Sequence, residues 1–227
     1  LKSREDFRRF YGICPEGELM MGSRDYFRFR YKKYWVEVVP IKYIENPEDA
    51  ENVTDLSPFH VDFVRSHTDE NMRMDIRLLK MFMRKKGVYG AETYVGGFSG
   101  YMAELLIISY GSLINLMKKV EENWRSKVYI DPMNYYESLR EACFNLGQDK
   151  IKSPIILVDP TFKYRNAAAA LTIRAYSRFV FEIRKFLRNP SEEEFFRETK
   201  IDIGSLKKRS KSRGSRIFFV EVEKEGK

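Results

Sequence analysis

Apolar and polar side chains alternate in the first part of the chain, and this pattern predicts a β-hairpin. Residues 26–31 read as a strand, because apolar and basic side chains alternate there, and residues 34–39 read as the return strand of a hairpin that turns at residues 32–33. Pro40 ends the return strand, since proline has no backbone N–H for a sheet. Alternation places Glu37 on the face opposite Val36. Glu37 is therefore either a solvent-facing glutamate or a carboxylate beside a site.

A period of about 3.6 residues replaces this alternation further along and predicts a helical middle. Helices are predicted for residues 58–65, 69–86, 100–110, 112–125 and 167–188. Thr68 and Asn166 are the predicted N-caps of the second and the last helix, because their side chains can accept from free backbone N–H groups. The helix at 100–110 is apolar on nearly every side, so we expect it to be buried.

The segments between and after these helices have weaker patterns. Residues 43–57 predict a linker, residues 131–152 an irregular insertion, and residues 154–160 a short apolar strand. Further short elements are predicted near the two ends of the chain: a helix at 3–12, helices that begin at Ser191 and Ser205, and a strand at 216–223.

A glycine-rich stretch joins the second helix to the buried one. Five of the thirteen glycines lie between Lys80 and Leu106. Ser99 begins the helix that follows, so free N–H groups and the positive end of the helix dipole point out of the turn, as suits a phosphate. The alternative is a tight connection without a ligand, because neither a Walker A nor a GxGxxG pattern is complete.

Composition and charge narrow the range of partners. The net charge of +8 favours an acidic partner such as nucleic acid. Cys14 and Cys143 lack CxxC spacing, so neither a disulfide framework nor a zinc site is indicated. We find no apolar run long enough to span a bilayer and no signal peptide, and therefore expect no membrane contact and a cytoplasmic location.

A basic run near the end of the chain is a candidate RNA contact. It contains Lys207, Lys208, Arg209, Lys211 and Arg213. Such a run can neutralise the phosphates of a nucleic-acid backbone. It can equally be a solvated helix face.

Several short segments together resemble the class I, archaeal-type CCA-adding enzymes, which add C, C and A to the 3′ end of tRNA. They are SPFH (57–60), RLLKMF (77–82), GVYGAE (87–92), GGFSGYMAELLI (96–107), YGS (110–112) and VDPTFKYRNAAAAL (158–171). The resemblance implies an α+β fold built from a nucleotidyltransferase head, an all-helical neck and a body. It implies the end of the head at 1–56, the neck at 57–189 and the beginning of an RNA-binding body at 190–227.

The resemblance also implies nucleotidyl transfer from CTP or ATP to a tRNA acceptor end, with Mg²⁺ held by three carboxylates. Glu37 matches the third of these catalytic, metal-binding carboxylates, although the family normally has Asp there. The other two should lie upstream of Leu1. We therefore expect a missing part of the chain, a homodimer partner or a second polypeptide to supply them, and expect this stretch alone to be inactive.

The remaining candidates match positions around the nucleotide. The candidate nucleotide-binding residues are Ser57, His60, Lys80, Tyr89, Ser99 and Arg165, with Asp159 orienting Arg165. Lys80 and Tyr89 would hold the triphosphate, and Arg165 would read the base with its fixed fork of donors. Each residue also has a plain structural explanation, such as a turn cap, a surface lysine, a core tyrosine or a salt bridge.

Two other functions fit the same residues. One is a related polymerase that adds adenylates to RNA. The other is a non-catalytic RNA-binding relative that lacks the metal-binding carboxylate pair.

Overall fold

The computed structural model describes residues 17–21, 24–196, 203–216 and 218. Its strands are β1 (Glu18–Met20), β2 (Tyr26–Tyr31), β3 (Tyr34–Val38), β4 (Val128–Ile130), β5 (Ile155–Asp159) and β6 (Phe162–Asn166). Its α-helices are α1 (Ser57–Ser66), α2 (Glu70–Lys85), α3 (Gly100–Tyr110), α4 (Leu113–Asn123), α5 (Leu139–Asn145), α6 (Ile173–Arg188) and α7 (Ile203–Ser212). The helix predicted at 3–12 and most of the strand predicted at 216–223 lie outside the described residues.

The first sheet confirms the predicted hairpin. Its strands are antiparallel in the order β1-β2-β3, and Arg28 lies directly across from Glu37. Phe27 is buried, whereas Tyr34 and Trp35 are more than half exposed. This sheet therefore has little of its apolar surface covered by the described residues.

A buried carboxylate fixes the chain between this sheet and the first helix. Both side-chain oxygens of Asp55 accept hydrogen bonds, from the guanidinium of Arg24 and from the backbone N–H groups of Lys42 and Asn52. Burial opposes ionisation, but these donors outweigh it and hold the pKa of Asp55 below its usual range. The predicted linker is thus an ordered connection at this point.

Helices α2, α3, α4 and α6 enclose the main core. Phe82, Leu105, Leu116 and Phe179 are fully buried in it, and the nearly all-apolar α3 lies inside, as predicted. The N-cap of α2 is Asp69, whose side chain accepts from Met72 N, and not Thr68 as predicted. The α+β class and the middle helices are therefore confirmed, with shifts at some helix ends.

The glycine-rich stretch folds back on itself between α2 and α3. Phe98 N donates to Val88 O at 2.7 Å, and Gly97 N donates to Gly90 O at 2.8 Å. A β-carbon at Gly97 would lie 2.1 Å from the carbonyl oxygen of Val88, which no side chain permits. A glycine at 97 is thus required for the close approach of the two backbone segments.

The region 57–189 is not all-helical, contrary to the expectation. It contains a second sheet in the order β4-β5-β6, with β4 parallel and β6 antiparallel to β5. The stretch expected to be irregular contains α5. Asn166 is not a helix cap but ends β6, where its side chain bonds the backbone of Leu157 and Ile155. Thr172 is the N-cap of α6.

A buried lysine attaches the segment after α6 to the end of α2. Lys86 pairs with Glu182 at 2.9 Å and with Glu194, and Phe195 packs its ring near that of Phe82. Burial alone would lower the pKa of Lys86, but its two carboxylate partners raise it. Residues 192–195 are therefore fixed to the same helix that carries Lys80.

Among the described residues, no single helix has the length and apolar character needed to cross a membrane. Helices α3 and α4 pass that test only together, and the chain bends by 88° between them.

Candidate nucleotide-binding site

A buried carboxylate, Asp159, lies at the centre of the candidate site. It is the last residue of β5, and its side chain is 0% exposed. Arg165 Nη1 donates to Asp159 Oδ2 at 2.5 Å, and His60 Nε2 lies 3.1 Å from the same oxygen. The hydroxyls of Tyr101 and Thr161 donate to Oδ1 at 3.0 Å and 2.8 Å. Four side chains from different segments thus converge on one carboxylate.

These contacts determine the charge of Asp159. Burial by itself disfavours the ionised carboxyl, but the hydrogen bond from His60 and the charge of Arg165 outweigh it and hold the pKa of Asp159 far below its usual range. Burial and the neighbouring Asp159 in turn raise the pKa of Tyr101, so this hydroxyl remains a donor. The carboxylate therefore stays ionised and holds Arg165 in one orientation.

Sequence reasoning did not identify Tyr101 as a site residue. Its ring stacks on that of His60, with centroids 3.9 Å apart, and the guanidinium carbon of Arg165 lies 6.0 Å from its centroid. Its position in an almost wholly apolar helix made it look like a core residue. A hydroxyl two residues after the Ser99 cap was the available signal, because a buried tyrosine needs a partner for its O–H.

A cavity beside this centre has a volume of about 700 Å³ and lies between α1, α2 and α3. Its lining includes Ser57, His60 and Lys80. Lys80 Nζ donates to Glu104 Oε1 at 2.7 Å, and both side chains are about a quarter exposed or less. Lys80 is therefore oriented into the cavity by a carboxylate on α3.

The side chains of Tyr89 and Lys80 both lie beside the first residue of α3. A β-carbon at Gly100 would lie 3.1 Å from the Tyr89 hydroxyl and 3.8 Å from Lys80 Nζ, so both groups surround the first residue of α3. The guanidinium of Arg84 lies 4.6 Å from the centre of the Tyr89 ring. A cation, a hydroxyl and a helix N-terminus thus occupy one corner, as anion binding requires.

A second cavity of about 470 Å³ holds the two other candidates, Ser99 and Arg165. Ser99 Oγ accepts from Met102 N at 3.1 Å, so its side chain caps α3. The structure therefore places three predicted residues, Ser57, His60 and Lys80, at one cavity and two, Ser99 and Arg165, at the other. Asp159 connects them, because it contacts His60 on one side and Arg165 on the other.

Glu37 lies apart from such a cluster. Its side chain is 50% exposed, and Arg28 Nε lies 3.8 Å from Glu37 Oε1. In the described part of the chain, no group of three or more His, Cys, Asp or Glu residues could hold a metal ion. A guanidinium beside a single carboxylate opposes cation binding, so Glu37 and its described neighbours do not fit an Mg²⁺ site by themselves.

The basic run lies on α7. Lys207, Lys208 and Lys211 are exposed there, and Arg213 is exposed directly after the helix, while the side chain of Arg209 is not described. Ser205 lies inside this helix rather than at its start.

Comparison with known proteins identifies the middle of the chain most clearly. A family model described as tRNA nucleotidyltransferase, second domain, matches residues 74–197. A CCA-adding enzyme of Nanoarchaeum equitans is 40% identical over 168 residues, which are 74% of this chain and 42% of that protein. A CCA-adding enzyme of Pyrobaculum neutrophilum is 37% identical over 188 residues, 83% of this chain and 42% of that protein. The chain thus spans less than half the length of these curated relatives.

Solved structures share the fold at low sequence identity. A cytoplasmic RNA terminal U-transferase superposes with a TM-score of 0.60 at 12% sequence identity. The superposition covers 88% of this chain and 79% of the U-transferase chain. A structure of the Cid1 poly(U) polymerase superposes with a TM-score of 0.59 at 13% sequence identity. The superposition covers 87% of this chain and 77% of that polymerase chain. These likenesses indicate a nucleotidyltransferase-like fold and carry no substrate assignment.

Proposed function

Because the chain belongs to the tRNA nucleotidyltransferase family, whose second-domain model matches more than half of it, we propose that it is part of an enzyme that adds CCA to the 3′ end of tRNA from CTP and ATP. The curated relatives named CCA-adding enzyme support this reaction. The observation that carries the proposal is the buried Asp159, which holds Arg165 and His60 between two cavities. The proposed partners are tRNA acceptor ends and nucleoside triphosphates.

In this proposal, the corner at Gly100 receives the triphosphate. Lys80 supplies a positive charge and Tyr89 a hydroxyl donor. Glu104 keeps Lys80 extended while no anion is present, because their charged groups are 2.7 Å apart. A triphosphate would then compete with Glu104 for the lysine.

Arg165 is the proposed base reader. A guanidinium fork in one fixed orientation offers donors to the acceptor edges that C and A share. Asp159 supplies that orientation, because it accepts from Nη1 at 2.5 Å and remains ionised. Ser57 and His60 would line the pocket beside the base, and Ser99 would add backbone donors at the start of α3.

Mg²⁺ is the proposed metal, since two-metal nucleotidyl transfer needs carboxylates at the reacting phosphate. Glu37 is one proposed ligand. Since Glu37 and its described neighbours do not form a site, no reaction step is assigned to the metal here.

The proposed domain boundaries follow the ordered linker. The end of the head would be residues 1–56, the neck 57–189 and the start of the body 190–227. The body would contact RNA through Lys207, Lys208, Arg209, Lys211 and Arg213. The proposed location is the cytoplasm, where CTP and ATP are available.

Two measurements test the function. The chain should bind CTP and ATP more tightly than GTP and UTP, and Arg165→Ala should remove this preference while Lys80→Ala should weaken all four nucleotides about tenfold. The full-length protein should add C to a tRNA that lacks CCA when CTP is the sole nucleotide. No C addition would contradict CCA addition. Addition of A or U alone, when ATP or UTP is supplied instead of CTP, would indicate a related RNA polymerase.

A further inference from the structure

The cavity that Lys80 lines has an excess of positively charged side chains. Arg65, Arg73, Arg77 and Lys80 line it, and Glu104 is the one carboxylate among its lining residues. Four cations against one anion leave an excess of three positive charges. Because Glu104 already pairs with Lys80, this excess lies on the three arginines.

Two of these arginines, Arg73 and Arg77, have neutral partners in the described residues. The guanidinium of Arg73 donates to the hydroxyl and the carbonyl oxygen of Thr68 at 3.3 Å and 3.1 Å. Arg77 Nη1 approaches the sulfur of Met74 at 3.8 Å. Within the part of the chain that the structure describes, neither arginine has an ion pair with a carboxylate. Their charges are therefore available to an external anion.

Arg73 and Arg77 lie on the same face of α2 as Lys80 but further from the start of α3, and Arg65 lines the same cavity from α1. Positions 73, 77 and 80 follow the spacing of one helix face. The distance from Arg73 to Lys80 along the axis is about 10 Å at 1.5 Å per residue. A triphosphate held at Lys80, Tyr89 and Gly100 would therefore leave the Arg73 end of the cavity to another group.

We propose that Arg65, Arg73 and Arg77 bind the phosphodiester backbone of the RNA strand whose 3′ end is extended, next to the nucleotide at Lys80. The inference rests on the proposed function, because it requires that Lys80 hold the triphosphate. Arginine presents two parallel donors to a phosphate, which suits repeated phosphates along a strand. Val61 and Val64 line the same cavity and provide apolar surface beside the phosphates. Open positive grooves of this kind track single strands.

The test is the double variant Arg73→Gln/Arg77→Gln. Binding of a single-stranded RNA with the sequence of a tRNA 3′ end is measured by fluorescence anisotropy between low and moderate salt. We expect affinity to fall at least about tenfold at low salt, and the slope of log K against log salt to decrease by about 1.4, or roughly 0.7 per lost phosphate contact. Affinity for CTP should change less than about twofold, since Lys80 is intact.

The matched control is Arg125→Gln/Arg188→Gln, which removes the same charge at a separate cavity between α4 and α6. Equal losses of RNA affinity in both double variants would overturn the proposal, because net charge would then explain them. Unchanged RNA binding in Arg73→Gln/Arg77→Gln would also overturn it. A loss of CTP affinity would assign the arginines to the triphosphate instead.

A conservative variant separates binding from folding. Arg73→Lys/Arg77→Lys should keep most of the salt slope but bind RNA more weakly than the wild type, because lysine lacks the paired donors. Thermal melting should show all variants folded. The proposed function has its own test, because it would be contradicted if the wild type did not bind CTP and ATP more tightly than GTP and UTP.

Discussion

Asp159 and Glu37 are both strand carboxylates with an arginine nearby, yet their surroundings differ completely. Asp159 is fully buried and accepts from several side chains, whereas Glu37 is half exposed and faces one guanidinium at 3.8 Å. The strand of Asp159 packs against the main core on one face and against a smaller cluster with Ala142 and Leu146 on the other. The strand of Glu37 has no such cover from the described residues. The covering layers, and not the residue type, decide how strongly a carboxylate is held.

The largest expected effect follows from removal of the buried carboxylate. Asp159→Ala leaves Arg165, His60 and Tyr101 without their shared acceptor, and breaking a buried pair in this way costs about 3–5 kcal/mol. The free energy of unfolding from urea titration measures this loss. A loss below about 1 kcal/mol would mean that Asp159 is no better held than a surface carboxylate.

Acid should weaken the same contacts. The folded-state pKa of Asp159 lies below its unfolded value of about 3.9, so its contribution is complete above that pH and is lost as pH falls further, toward the folded pKa. The stability difference between wild type and Asp159→Asn should therefore narrow below about pH 4. The urea midpoints of both proteins between pH 7 and pH 2 measure this difference. A difference in midpoint that stayed constant over this pH range would contradict the prediction.

Removal of one hydroxyl should have an intermediate effect. Tyr101→Phe deletes a hydrogen bond to an ionised acceptor, worth about 2 kcal/mol, without changing the ring that stacks on His60. Tyr135→Phe is the control, because its hydroxyl donates to the neutral carbonyl of Pro160 and should cost about 1 kcal/mol. Equal losses in thermal unfolding would show that the charge of Asp159 adds nothing.

The smallest effect is expected at Glu37. Its pair with Arg28 is exposed and 3.8 Å long, so Glu37→Gln should change stability by less than about 0.5 kcal/mol. The same variant tests the proposed metal role. A large loss of Mg²⁺-dependent CMP incorporation by the full-length protein, at unchanged stability, would support it, and unchanged incorporation would contradict it.

Local pattern was sufficient for the hairpin and for most of the middle helices. The alternation in 26–31 and the almost continuous apolar run in 100–110 are local patterns, and that information is contained in neighbouring residues. Asn166 shows where this reasoning fails. Its amide bonds the backbone of Leu157, Ile155 and Lys150, all distant partners, and so it ends a strand rather than starting a helix.

The site shows the same limit. The segments in register with a known family indicated Lys80, Tyr89, Asp159 and Arg165. The contact between Asp159 and Arg165 is present, but their roles remain predictions. Tyr101 was missed because its partner lies 58 positions away in the chain. A pairing across the fold leaves no spacing that a single sequence can reveal.

Helix α2 is about 24 Å long, at 1.5 Å for each of its 16 residues. Lys80 lies on its cavity side, and Lys86 follows its end, locked between Glu182 and Glu194. A tilt of α2 that widens or narrows the cavity must therefore also displace residues 192–195. Through this coupling, ligand binding in the cavity would change the position of the segment that follows residue 196.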